Sequence, residues 1–204
     1  MDSHRGGWIE IIAGGMFSGK SEELIRRMRR AVIGRQRVQV FKPIIDDRFA
    51  TDEVVSRDER RLKAMAVGTS NELLSRVEIG VQVVGIDEVQ FFDAGVVDVC
   101  MQLADAGIRV IAAGLDQDYM RRPFGPMPAL LAVAEEVSKM HAICVRCRGA
   151  AHYSQRLSGG NTQVEVGDSS YEARCRPCFE PYHAAPEDTP AVQLTIPAPA
   201  VGNA

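Results

Sequence analysis

The sequence has no surplus of positive charge. Its 24 Lys and Arg stand against 27 Asp and Glu, a net charge of −3, so no chain-wide basic field advertises a nucleic-acid partner. No apolar run approaches the roughly 20 residues that a membrane-crossing helix needs, and no signal-peptide core stands at the N-terminus. A cytoplasmic location is the expectation. There is no internal repeat. Cysteine is sparse: five are present, four of them in two close pairs. In a reducing compartment such pairs point to a metal rather than to disulfides. What remains is ordinary for a globular chain: 204 residues, 46% hydrophobic and 25% charged. That suffices for one full domain and a small appendage, with a core that needs no disulfides.

The most informative stretch is Gly14-Gly15-Met16-Phe17-Ser18-Gly19-Lys20-Ser21. An apolar run, Trp8 to Ala13, precedes it, and a helical pattern with Leu24, Ile25, Met28 and Val32 at core-facing spacing follows. Strand, glycine turn and helix are the context that a Gly-x-x-x-x-Gly-Lys-Ser phosphate loop requires. The glycines let several backbone N–H groups face one anion, and the helix start adds the positive end of its dipole. Lys20 is placed to reach the outer phosphates, and the Ser21 hydroxyl to ligate Mg²⁺. Arg26, Arg27, Arg29 and Arg30 follow; three of them read as a solvated helix face.

Further strands are expected at Arg37–Lys42, Leu62–Val67, Val81–Asp87 and Arg109–Leu115. Helices are expected from a Ser70 cap to Arg76, at Val96–Ala106 and at Met127–Val137. Apolar strands alternating with helices predict an α/β fold, a parallel sheet covered on both faces. Ligands of such sheets collect at the C-terminal strand ends, where Gly14, Asp87 and Asp116 all fall. Residues 1–7 read as a loose N-terminus and 8–140 as the nucleotide-binding domain. Past Met140 the character changes to short strands and turns through residue 182, and 183–204 is a proline- and alanine-rich tail without core periodicity.

Asp87-Glu88 closes an apolar strand. An acid there holds Mg²⁺ against the phosphates, and Glu88 is placed to accept a proton from whatever attacks the γ-phosphate. The attacker is water in an ATPase and a substrate hydroxyl in a kinase, and the dyad does not choose. A nucleic-acid-dependent ATPase with a zinc ribbon is the alternative that the net charge disfavours. Cys144-x-x-Cys147 and Cys175-x-x-Cys178 form a four-thiolate set suited to structural Zn²⁺, with no position left open for catalysis. It would pin the base of the loop from Arg148 to Arg174; His183 is a weaker alternative ligand. Cys100 reads as a packed helix residue. Phe124 and the Phe91-Phe92 pair offer flat walls for a ring.

Together these motifs resemble the zinc-containing cytosolic thymidine kinases over about Ile9 to Phe179. The resembling pieces are Gly15 to Ser21, Gly85 to Phe92, Leu115-Asp116 with Arg122 to Gly125, and both cysteine pairs. The resemblance implies a P-loop NTPase-like sheet with a small zinc-ribbon-like lasso domain, and transfer of phosphate from ATP to thymidine. It implies that Gly14 to Ser21, Asp87 and Gln90 contact ATP, that Ser21, Asp87 and Asp58 handle Mg²⁺, and that Glu88 is the base for the 5′-hydroxyl. It places Met16, Phe91, Phe124, Ser154, Val164, Val166, Gly167 and Tyr171 around the nucleoside. It also implies feedback inhibition by dTTP and a homotetramer. One departure is visible: Ser56-Arg57-Asp58 stands where the family often has Ser-His-Asp, which implies altered metal or phosphate handling beside Asp58.

Overall fold

A computed structural model of the chain describes residues 6–44, 53–55, 61–157 and 170–181, the side chains of 53–55 and of 61 and 62 excepted. Twelve strands and four helices follow in order: β1 (Trp8–Gly14), α1 (Lys20–Ile33), β2 (Val38–Pro43), β3 (Glu53–Val55), β4 (Arg61–Lys63), β5 (Met65–Val67), α2 (Ser70–Arg76), β6 (Val83–Ile86), α3 (Val96–Asp105), β7 (Arg109–Gly114), α4 (Met127–Val133), β8 (Glu136–Met140), β9 (Ala142–Ile143), β10 (Ala150–Ala151), β11 (Tyr153–Arg156) and β12 (Tyr171–Arg174). Six strands form one sheet in the order β5-β2-β6-β7-β1-β8, and every pairing in it is parallel. The expected parallel α/β architecture is the one observed.

Alternation along the strands builds two cores. Ile9, Ile11, Val84, Ile86, Val110 and Ala112 face α2, α3 and α4 together with Leu73, Val99, Leu103 and Leu130. Ile12, Val83, Ile111 and Ala113 face α1, against Leu24, Ile25, Met28 and Ala31. Strands buried on both faces read as continuous apolar runs, which is why they were visible in the sequence. On α1 the fourth core position is Ala31, not Val32, which is half exposed. Arg26, Arg29 and Arg30 are exposed as expected.

Arg27 is the fourth arginine of that run, and it turns inward. Its guanidinium reaches Glu10 Oε2 at 2.7 Å and Ser138 Oγ at 2.8 Å. Arg109 Nε reaches Glu10 Oε1 at 2.6 Å, and Trp8 Nε1 donates to the same oxygen at 2.8 Å. Burial pushes the Glu10 carboxyl up, but the hydrogen bonds from Arg109 and Arg27 outweigh it and hold it below the usual range. A buried charge is tolerated only when paired in this way. The network ties α1, which begins in the phosphate loop, to β1, β7 and β8.

Three boundaries differ from expectation. The Met127 helix ends at Val133, because Ala134 turns extended and Glu135 Oε2 accepts the Ile9 N–H at 2.7 Å. Glu136–Met140 then joins β1 as a sixth strand, its five residues too polar to read as one. Leu62–Val67 breaks at Ala64: β4 pairs antiparallel with β3, whereas β5 enters the main sheet. The cap of α2 is Thr69, whose side chain accepts the Glu72 N–H at 3.1 Å. Ser70 lies inside the helix and is tied to Asp93 instead. Among the described residues no helix is long and apolar enough to cross a membrane.

Candidate active site

β1, β7 and β6 lie side by side, so their C-terminal ends bring Gly14, Asp116 and Asp87 to one edge. Gly14 has φ 156, and a Cβ there would stand 2.4 Å from the Met140 carbonyl; no side chain fits between β1 and β8. Gly19 has φ 80 and opens α1. Lys20 is buried, its Nζ donating to the Gly15 carbonyl at 2.9 Å, and Ser18 Oγ donates to the same oxygen at 2.8 Å. Burial lowers the Lys20 ammonium, while the charges of Glu88, Asp87 and Asp116 act to raise it. Those charges offset the burial only in part, and an anionic phosphate at Lys20 would supply the rest.

The Ser21 hydroxyl lies 3.3 Å from Asp87 Oδ1. Asp87 is buried, and burial, reinforced by the charge of Glu88, pushes its carboxyl up to about 7. A buried carboxylate facing a hydroxyl at the mouth of a phosphate loop fits a bound divalent cation. The shift also has a consequence for stability. An unfolded aspartate loses its proton near 3.8, whereas the folded one keeps it to about 7. Between those values the folded state binds the extra proton, so its stability falls as pH rises through that window. Asp87→Asn is expected to flatten the fall, read as the difference in urea midpoint between pH 5 and pH 8 without magnesium.

Glu88 sits in the left-handed region, φ 50, at the head of a 3-10 turn, Val89–Phe91. Its N–H donates to Asp87 Oδ1 at 3.0 Å, and Gln90 Nε2 donates to Glu88 Oε2 at 2.5 Å. Gln90 is itself fixed, since Leu115 N–H donates to its Oε1 at 2.9 Å. A non-glycine residue held there is backbone strain kept in place by its surroundings. Gln90 is therefore a bridge between Glu88 and the end of β7. Its residue type carried no such signal, because its partner lies 25 positions away.

On the far side of the loop, Met16 N–H donates to Ser154 Oγ at 2.9 Å. A Cβ on Gly15 would lie 3.2 Å from the His152 carbonyl. The phosphate loop and β11 are thus in direct contact. Phe91 and Phe124 meet edge to face, centroids 5.5 Å apart, and Phe124, Ser154 and Tyr171 are largely buried. Asp58, Val164, Val166, Gly167, Arg57 and His183 lie outside the described residues.

The four sulfur atoms of Cys144, Cys147, Cys175 and Cys178 all lie within 4.8 Å of one another. A tetrahedral ion with Zn–S bonds of about 2.3 Å has S···S edges of about 3.8 Å, so the donor set fits. Against burial, which acts to raise it, backbone N–H groups of Cys147, Cys175 and Arg146 pull the Cys144 thiol down to about 6. That favours a thiolate at Cys144, whereas hydrogen bonding with Cys175 and Cys147 pushes the Cys178 thiol up to about 12 and burial raises that of Cys175, so metal binding would displace protons from those two. Cys100, by contrast, is wholly buried in α3, and burial pushes its thiol up to about 12.

Comparison with known proteins gives the family. The family model described as thymidine kinase matches residues 7–179. The chain is 54% identical to a thymidine kinase of Rhodothermus sp. (strain ITI 518), over 95% of this chain and 89% of that one. It is 52% identical to a thymidine kinase of Bacteroides fragilis, over 88% and 90% of the two chains. It is 50% identical to one of Porphyromonas gingivalis, over 96% and 95%. The chain belongs to the thymidine kinase family.

Proposed function

We propose that the chain transfers the γ-phosphoryl group of ATP to the 5′-hydroxyl of thymidine, giving dTMP and ADP for DNA precursor salvage. The observation that supports this reading is the contact of Met16 with Ser154, which joins the loop proposed to hold the donor to β11, the strand proposed to face the acceptor. A hydrolase needs no such second wall. The backbone N–H groups of Gly14 to Ser21 and the Lys20 ammonium take the phosphates. Ser21 and Asp87, with Asp58, would hold Mg²⁺, which supplies charge neutralisation on the phosphate oxygens when bound.

Glu88 takes the proton of the 5′-hydroxyl as its oxygen bonds to the γ-phosphorus and the bond to the β,γ-bridging oxygen breaks. Gln90 holds the Glu88 carboxylate during that approach, and its own contact with ATP is the second part of its assignment. Met16, Phe91, Phe124, Ser154 and Tyr171, with Val164, Val166 and Gly167, enclose the nucleoside. Residues 141–182 act as a lasso domain beside the nucleotide-binding domain of 8–140. Cys144, Cys147, Cys175 and Cys178 would hold Zn²⁺ at its base in a structural role. Feedback inhibition by dTTP, a homotetramer and a cytoplasmic location complete the reading.

The test is ADP release with each nucleoside in turn. Thymidine is expected to stimulate release strongly, purine nucleosides hardly at all. Release driven by DNA and indifferent to thymidine would reject the proposal.

A further inference from the structure

A cavity of about 600 Å³ opens beyond the end of β7, lined by Asp116, Gln117, Arg121, Lys139, Tyr153 and Arg176. None of the P-loop residues and neither Phe91 nor Phe124 lines it. Its volume lies in the range of small-molecule sites. Of its ten lining residues three are cationic and one is anionic.

The cations are held in place. The Arg121 guanidinium lies 5.6 Å from the Tyr153 ring centroid and 4.7 Å from that of Phe179. The Arg176 guanidinium lies 5.2 Å from the Tyr153 ring. Among the described residues no carboxylate pairs with either arginine. Arg121 has φ 64, in the left-handed region. The turn around it is fixed by the buried Asp118, whose Oδ1 accepts the N–H groups of Met120 and Arg122, each at 2.9 Å. A strained residue presented this firmly is a feature the surroundings over-determine.

The anion is the second observation. Asp116 is 6% exposed. Lys139 Nζ lies 2.8 Å from its Oδ2 as an ion pair, yet neither carboxylate oxygen accepts a well-directed hydrogen bond. Oδ1 has no partner at all among the described residues. Buried acceptors left in that condition are uncommon and call for a donor.

We propose that this cavity is a second ligand site, separate from those of ATP and thymidine, for a hydroxylated phosphomonoester of the sugar-phosphate class. Arg121 and Arg176 take the phosphate oxygens, for which guanidinium forks are suited. A sugar hydroxyl donates to Asp116 Oδ1. Pro128 and Leu131, also in the lining, meet the carbon skeleton. A sugar is favoured over a nucleobase because the Tyr153 ring is already engaged by two guanidiniums and offers no stacking platform.

Calorimetry on the full, zinc-loaded chain saturated with Mg·ADP tests this, since ADP fills the phosphate loop beforehand. Ribose 5-phosphate is expected to bind once per chain, and inorganic phosphate at least about tenfold more weakly. Arg121→Gln and Arg176→Gln are each expected to weaken ribose 5-phosphate by about tenfold or more. Asp116→Asn is expected to bring it to the level of phosphate. Arg176 follows a cysteine ligand, so zinc content and melting temperature are read for each variant, and Arg121→Gln carries the test if Arg176→Gln loses metal. Absence of binding in the ADP-saturated protein overturns the proposal, as does binding indifferent to Arg121→Gln. Turnover is not read, so failure of the kinase reading shows separately in the nucleoside assay.

Discussion

Glu88→Gln is expected to lower kcat by about 10²- to 10⁴-fold, the range that a positioned general base contributes, with ATP affinity changed by less than about twofold. The geometry makes the substitution clean. The Glu88 carboxylate accepts one hydrogen bond, from Gln90 Nε2, and a glutamine at 88 keeps that bond by presenting its carbonyl oxygen. The left-handed turn is set by backbone and by Asp87, so it survives. What is lost is the capacity to take a proton. Single-turnover measurement of dTMP formation with ATP and thymidine both saturating is the decisive reading. Turnover within a fewfold of wild type would assign the proton to another acceptor.

The second large effect concerns the cysteines. Removing metal by chelation, or the ligand by Cys175→Ser, is expected to weaken thymidine binding by at least about tenfold, or ~1.4 kcal/mol, with a smaller loss for ATP. A four-thiolate site contributes on the order of 10 kcal/mol of folding free energy. The small apolar cluster around it, Ala142, Cys144, Ala151, Ala173 and Cys175, buries too few methylenes to replace that. β9, β10, β11 and β12 pair only two by two, and isolated two-stranded ribbons are marginal in water. None of these strands pairs with the main sheet. Equilibrium dialysis with each substrate, before and after chelation, separates the cases. Equal losses for ATP and thymidine would mean that the metal supports the entire fold.

Much of this site was legible because its parts are local. Gly14 to Ser21 announces itself through spacing and context, and Asp87-Glu88 follows a buried run. The two cysteine pairs carry their own geometry. The resisting parts are those whose meaning lies in a distant partner. Glu10 sits in an apolar strand and gives no hint that Arg27 and Arg109 meet it from two other elements. β8 hid behind Glu135 and Glu136, which read as the end of a helix until Ile9 claimed the Glu135 carboxylate. Gln90 looked like one more residue of a nucleotide site, whereas its amide spans from Glu88 to Leu115. Asp116 was visible as a strand end, but its pairing with Lys139 comes from β7 and β8 flanking β1.

If the proposed sites hold, the hydrogen bond from Met16 to Ser154 makes the two substrates thermodynamically answerable to each other. In the proposed reading Met16 belongs to the segment that turns its N–H groups toward phosphate, and Ser154 to the strand that faces the nucleoside. Any rearrangement of the loop on filling is felt by that strand, and the reverse. Reciprocity then fixes the size of the effect: the factor by which ATP changes thymidine affinity equals the factor by which thymidine changes ATP affinity. Ser154→Ala would shrink both factors together, so the mutual help between the substrates is a property of one side-chain oxygen as much as of either pocket.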